Sequence, residues 1–174
     1  MGCDIHSFAE KRNKKTGDWE KVKDAFSLDD FDKKYLNKEK GEHPFDWRNY
    51  SMFAFLAGVR NYDCCEPLSE PKGLPSDVSK EVKSEYGDGV DWHSESFLTG
   101  KELLNFDYDK SFWNRRVSKQ TSPTSWTGAG LAEKGEGKIL TYRENLGDMY
   151  FLHLKELKQL GNPEYVRIVF WFDN

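Results

Sequence analysis

Near the start of the chain, Asp4-Ile5-His6 spaces two metal-capable side chains two residues apart. On a strand that spacing sends both to one face, as when a first strand delivers ligands to a hydrolytic metal centre. Phosphoesterases built this way also need Gly-Asp-x-x-Asp and Gly-Asn-His motifs further on, and no Gly-Asn-His occurs. The plain reading is a solvated strand face. No cofactor is expected, and a divalent metal, if held, would take Asp4, His6 and His93.

A second cluster, Asp91-Trp92-His93-Ser94-Glu95-Ser96, gathers an acid, a base, two hydroxyls and an indole. His93 can donate to a phosphate or act as a general base, with Ser94 and Ser96 as further donors. The same residues also suit a hydrogen-bonded loop ahead of a helix. No Gly-x-Ser-x-Gly elbow surrounds either serine, which leaves little case for a nucleophilic one. Asp4, His6, Asp91 and His93 are the set an enzyme would use, and Asp4, His6 and His93 are expected together in a polar cleft at one end of a sheet.

The third cluster is basic and aromatic. Arg48-Asn49-Tyr50 and Arg60-Asn61-Tyr62 bracket one apolar stretch. A guanidinium offers paired donors matched to phosphate oxygens, and an aromatic face accepts any base. Arg48, Arg60 and Asn61, with His6, His93, Ser94 and Ser96 as polar contacts and Trp47, Tyr50, Trp92 and Trp126 as stacking surfaces, form a candidate nucleotide site. Arg48 falls in the expected first helical turn, where the dipole disfavours a cation, and Arg60 in the last, where it is favoured. A salt bridge to Asp46 or Glu42 is the ordinary alternative for Arg48. His43 and His153 read as a loop histidine and a helix-face histidine.

These residues need elements to hold them. Residues 3–23 suggest a hairpin with its turn at 13–17, which puts Asp4, His6 and Phe8 on one face. Residues 28–43 are charged and form a surface excursion with a short helix near 29–36. Asp46 is a candidate cap for a helix carrying Asn49, Met52, Phe53, Leu56 and Val59, an apolar stripe at i, i+3, i+4 spacing. Ser76 is placed as the cap of a charged helix ending at Gly87-Asp88-Gly89. Thr99-Gly100-Lys101-Glu102 is a capping box. Residues 118–138 are rich in Ser, Thr and Gly and read as a mobile loop. A helix near 143–160 stops at Gly161-Asn162-Pro163, and Tyr165-Val166-Arg167-Ile168-Val169-Phe170-Trp171-Phe172 is apolar on both faces, as a central strand must be. The fold expected is one α+β domain over 1–174: an antiparallel sheet including the N- and C-terminal strands, with three or four helices packed on it.

Composition narrows the function. The 174 residues carry 26 Lys plus Arg against 30 Asp plus Glu, a formal charge of −4, so a binder of duplex nucleic acid, which concentrates cations, is not expected. No apolar run approaches the roughly 18–20 residues of a membrane span. Cys3, Cys64 and Cys65 are odd in number with two adjacent, a pattern of thiols in a reducing cytoplasm.

The ordered segments Met1-Gly2-Cys3-Asp4-Ile5-His6, Arg48-Asn49-Tyr50, Glu70-Pro71-Lys72-Gly73-Leu74-Pro75, His93-Ser94-Glu95-Ser96-Phe97-Leu98-Thr99 and Val166-Arg167-Ile168-Val169-Phe170-Trp171-Phe172-Asp173-Asn174 together resemble a family of small proteins encoded by bacteriophages and prophages. The chain departs from that pattern at Glu95 and Phe97, where the family has His and Trp. The resemblance implies a phage origin and a host bacterial cytoplasm more than it implies a chemistry. In that setting the expected function is counter-defence: binding and sequestering a nucleotide immune signal of the cyclic ADP-ribose or cyclic oligonucleotide type. The alternatives are a phosphodiesterase cleaving such a signal and a protein-interaction inhibitor of a host defence enzyme. A homo-oligomer with pockets near subunit boundaries would suit sequestration.

Overall fold

Residues 166–172 lack polar alternation because they form a strand buried along its whole length. The structure, a computed structural model, describes the backbone of residues 2–123, 125–133 and 135–174, and their side chains apart from those of 118–122 and 125–129. In chain order the elements are β1 (Ile5–Arg12), β2 (Trp19–Lys21), β3 (Phe26–Ser27), α1 (Asp30–Leu36), β4 (Lys40–Gly41), α2 (Tyr50–Ala57), α3 (Lys80–Tyr86), β5 (His93–Thr99), α4 (Gly100–Asn105), β6 (Ser111–Asn114), β7 (Arg116–Ser122), β8 (Ser125–Leu131), β9 (Lys138–Thr141), α5 (Tyr142–Gln159) and β10 (Val166–Phe172). The α+β class and the antiparallel sheet joining both end strands are as expected, with five helices among the described residues where three or four were expected. No helix among the described residues is long and apolar enough to cross a membrane.

The chain divides into two compact units: Met1–Arg48, Pro71–Phe106 and Asp148–Asn174 make the first, and Asn49–Glu70 and Asp107–Gly147 the second. The first unit holds a four-stranded sheet in the order β2-β1-β10-β5, so β10 is indeed internal. Its register pairs Phe8 with Val169, His6 with Trp171 and Ile5 with Phe172. Directly opposed residues share a face, so His6, Phe8 and Glu10 lie with Trp171, Val169 and Arg167, and Ile5, Ser7 and Ala9 lie on the other side. On the first of these faces Phe8, Val169 and Trp171 pack with Val82 of α3.

The turn between β1 and β2 forms where it was expected, because Asn13 Oδ1 accepts the N–H groups of Lys15 and Thr16 and Gly17 adopts φ 80°. The capping box is also as expected: Thr99 Oγ1 accepts from Glu102 N–H at 3.1 Å and Glu102 Oε2 accepts from Thr99 N–H at 2.8 Å. Thr99→Ala is expected to cost about 1 kcal/mol of stability, the usual worth of an N-cap side chain, in urea denaturation. A second box at α5, Thr141 with Glu144, was not expected and starts that helix at Tyr142.

Two helix starts differ from expectation. α2 is capped by Asn49 Oδ1 on Met52 N–H, not by Asp46, and α3 by Ser79 on Val82 N–H, not by Ser76. Ser79 is preferred because its own N–H is taken by the buried Glu10 carboxylate at 2.7 Å. α2 ends at Gly58, which takes the left-handed C-cap conformation at φ 71°. Where residues 118–138 suggested a loop without an element, the backbone forms the paired strands β7 and β8.

Candidate functional site

The β1–β10 pairing continues one step past Ile5 and Phe172. Asp173 N–H donates to Asp4 O at 3.2 Å, and Asp4 N–H donates to Asp173 Oδ1 at 3.0 Å. This reciprocal lock fixes the Asp173 carboxylate beside β1, where its Oδ2 lies 3.0 Å from His6 Nε2. A carboxylate oxygen accepts, so Nε2 carries a proton, and Nδ1 is a lone pair in the imidazole and a second donor in the imidazolium. Nδ1 makes no hydrogen bond among the described residues and is not enclosed. Both side chains are about one-third exposed, at 37% for His6 and 32% for Asp173.

The His6 ring packs 4.7 Å from Trp92 and 6.1 Å from Trp171, and Trp92 is held by its own Nε1–H donating to Tyr86 O at 2.8 Å. On the other side of the lock, Arg48 binds the Asp4 carboxylate with two nitrogens, Nε at 2.7 Å from Oδ1 and Nη2 on Oδ2. That hydrogen bond holds the Asp4 carboxyl below its ordinary value. Gly2 lies beneath the guanidinium: a Cβ there would come within 2.6 Å of Arg48 Nη1. Asp4, His6, Arg48 and Trp92 are therefore gathered as one polar-aromatic cluster, completed by Asp173. Beside His6, a cavity of about 150 Å³ is lined by Ile5, Ser7, Phe8, His43 and Asp46 as well.

Arg48 owes its place to Asp4, not to Asp46 or Glu42, and it precedes the cap of α2 instead of lying in the first turn. Its expected conflict with the helix dipole does not arise. Arg60 likewise lies beyond the last turn, at φ 51° after Gly58. Asn61 is spent on local structure, its amide bonded to Cys65 O at 2.8 Å and accepting from Cys65 N–H at 3.2 Å. Tyr50 opens α2, and it shares the second unit with Arg60 and Asn61. Trp126 lies on β8, and its side chain is outside the described residues.

His93 does not join His6. It lies opposite Phe172, on the sheet face away from His6 and Trp171, and its ring stacks 5.9 Å from Phe172. A bulge sets this: β5 spends three residues, from Ser96 to His93, where β10 spends two, and Ser94 takes φ 55°. The expected cleft shared by Asp4, His6 and His93 is thus divided by the sheet. His93 Nδ1 lies 3.0 Å from Ser94 Oγ, and its Nε2 is buried without a partner among the described residues. Ser96 Oγ, fully buried, accepts from Lys72 N–H, and Asp91 is exposed in the turn before β5.

The remaining predicted residues are structural. His43 Nδ1–H donates to Ser7 O at 3.1 Å. Trp47 meets His153 edge-on, with centroids 5.1 Å apart. His153 lies on α5, as expected, on its buried side, where it bridges two backbone groups. The spacing Gly-Asp-x-x-Asp occurs at residues 87–91, yet there it makes the turn after α3, with Gly87 as C-cap and Asp88 Oδ1 accepting from Val90 N–H. Among the described residues no three His, Cys, Asp or Glu side chains converge as a metal-ligand set. Cys3, Cys64 and Cys65 are thiols outside any disulfide, and burial pushes the Cys65 thiol up to about 12.

Asp173 was not singled out from sequence. The signal for it was the strand register: a chain that pairs residue 5 with residue 172 places residues 4 and 173 side by side. No protein-family model, curated protein or solved structure matches the chain.

Proposed function

We propose that the protein binds a nucleotide at the His6–Trp92 face of the first unit and withholds it from its receptor, as a phage counter-defence protein acting in an infected bacterium. The observation that carries this reading is the contact of Trp92 with a histidine whose ring is pinned by Asp173 and whose Nδ1 is open. An indole offers a base a stacking surface, and the neighbouring imidazole can meet a phosphate oxygen as a proton donor with Asp173 compensating its charge. The phage setting rests on the end-to-end resemblance of the sequence.

A second reading, cleavage of the same phosphodiester, is favoured by the Asp173–His6 pair itself, because a carboxylate that fixes the tautomer leaves Nδ1 as a base. One experiment separates the two. The protein is incubated with cyclic ADP-ribose-type and cyclic oligonucleotide signals, the free ligand is measured, and the protein is then heat-denatured. Ligand captured and returned unchanged supports sequestration, and altered ligand supports cleavage. No capture and no alteration across the panel removes both.

His6→Ala and Trp92→Ala are each expected to weaken capture by about tenfold or more, the worth of one stacked base or charge-assisted hydrogen bond. Thermal melts of each variant report folding separately. Full-strength capture by both folded variants would place the ligand elsewhere.

A further inference from the structure

The second unit contains a cavity of about 230 Å³ lined by Ser51, Asn114, Arg116, Lys138, Leu140 and Asn145. Its polar groups are fixed from behind. Asp63, fully buried, accepts from Asn145 Nδ2 at 2.8 Å. Asn145 Oδ1 in turn accepts from Asn114 Nδ2 at 2.8 Å, and Asn114 Oδ1 accepts from Arg116 N–H at 2.9 Å. Asn114 is only 8% exposed, so this relay is an interior one. It sets the orientation of both amides and anchors the backbone of Arg116 at the edge of the cavity.

The Arg116 side chain is under-used by comparison. Its Nη1 reaches Ser51 Oγ at 3.3 Å and Asp63 Oδ1 at 3.4 Å, both long for a charge-assisted bond. Its Nε and Nη2 have no acceptor among the described residues, although the side chain is only 28% exposed. Lys138, exposed at the same cavity, forms no ion pair among the described residues. Two cations therefore face one buried carboxylate, and most of the guanidinium's donors have no acceptor among the described residues. Those donors are not enclosed, so they are open to an anion entering the cavity. The Tyr50 ring lies 5.6 Å from the same guanidinium.

We propose that this cavity is a phosphate-binding site, taking the phosphate of a small phosphorylated ligand between Arg116 and Lys138. The guanidinium supplies a planar fork matched to two phosphate oxygens, Lys138 a point charge, and Ser51 Oγ a further donor. A phosphate's several oxygens and multiple charge fit two cations better than a single carboxylate does. The volume is below the roughly 300 Å³ at which pockets for whole drug-sized ligands begin, so only the phosphate end enters. The site uses no residue of the His6–Trp92 cluster and stands independently of it.

The test is titration of the 15N-labelled protein with inorganic pyrophosphate, followed by calorimetry. The Asn114 and Asn145 side-chain amide signals shift, while the His6 ring signals do not. Lys138→Ala, which removes an exposed side chain, weakens binding by about tenfold or more, and Arg116→Gln abolishes it. Adenosine diphosphate in a parallel titration identifies the source: equal affinity assigns the site to free phosphate anions, and tighter binding assigns it to a nucleotide with Tyr50 beneath the base. Unmoved Asn114 and Asn145 amides at millimolar pyrophosphate, or shifts that persist undiminished in Lys138→Ala, overturn the proposal.

Discussion

Glu10→Ala is expected to lower the free energy of unfolding by about 3–5 kcal/mol, because it strands a buried guanidinium. Glu10 is fully buried and Arg167 is 4% exposed. Glu10 Oε2 accepts from Arg167 Nε at 2.7 Å and Oε1 accepts from Ser79 N–H at 2.7 Å, so one carboxylate joins β1, β10 and the cap of α3. The rest of the guanidinium reaches Asp77 Oδ1 at 2.8 Å and lies 4.0 Å over the Trp19 ring. Removing Glu10 leaves Asp77, on the exposed side, as the only carboxylate on Arg167 among the described residues, and leaves the Ser79 N–H without its acceptor. Glu10→Gln keeps the shape and one acceptor oxygen but loses the charge and sets its NH2 against the second N–H donor, so it should recover only part of the loss. Guanidinium-chloride unfolding of both variants measures the difference. A loss under about 1 kcal/mol in Glu10→Ala would mean that water reaches Arg167 and that the pair is a surface bridge in effect.

That network shows where sequence reading stops. The apolar run of β10 was legible as a central strand because seven residues buried on both faces leave no room for polar alternation. Arg167 inside it carried no signal of its own partner, since Glu10 is 157 residues away and only the register brings the two together. The same register explains the helix caps. Ser76 and Ser79 are both chemically competent, and the choice between them was made by Glu10, a residue on another element. Local devices were legible for the opposite reason: Asn13 with Gly17, and Thr99 with Glu102, each close a hydrogen-bonded ring within five residues.

The candidate site divides along the same line. Asp4 and His6 were legible as a pair because alternation along one strand is a local property. His93 was not separable from them, because its face depends on a one-residue bulge at Ser94 that no composition announces. Arg48 was expected to be free for an anion, and Asp4 turned out to hold it. The two residues lie 44 positions apart, and a charge 54% exposed against another 48% exposed is a pairing that sequence spacing does not encode. The guanidinium whose donors are unmet among the described residues is instead Arg116, just ahead of the 118–138 segment whose Ser, Thr and Gly content suggested a loop.

His153→Ala is expected to cost about 2–4 kcal/mol near neutral pH and less as the solution is acidified. Phe45 N–H donates to His153 Nδ1 at 2.9 Å, and His153 Nε2–H donates to Ser27 O at 2.8 Å, so the ring is neutral with its proton on Nε2. Phe45 takes φ 56°, a left-handed conformation that a bulky residue holds only when its surroundings compel it, and this hydrogen bond is part of that compulsion. Glu156 clamps the same strand from its other groups, accepting from Ser27 N–H and Ser27 Oγ. Burial disfavours the imidazolium, and this lowers the His153 pKa below its ordinary 6.5 despite the Ser27 carbonyl and the nearby Glu156 and Asp46. Above about 6.5 the residue is neutral in both the folded and the unfolded chain, and its contribution is complete. Between that value and the lowered folded one, the unfolded chain binds a proton that the folded chain refuses, so stability falls as pH falls. Urea unfolding of both proteins at about pH 7.5 and about pH 5.5 checks the sign, because the alanine variant lacks this proton linkage and its deficit should narrow in acid. A deficit that stays constant, or widens, would show that His153 is protonated in the folded protein and that Phe45 N–H finds its acceptor elsewhere.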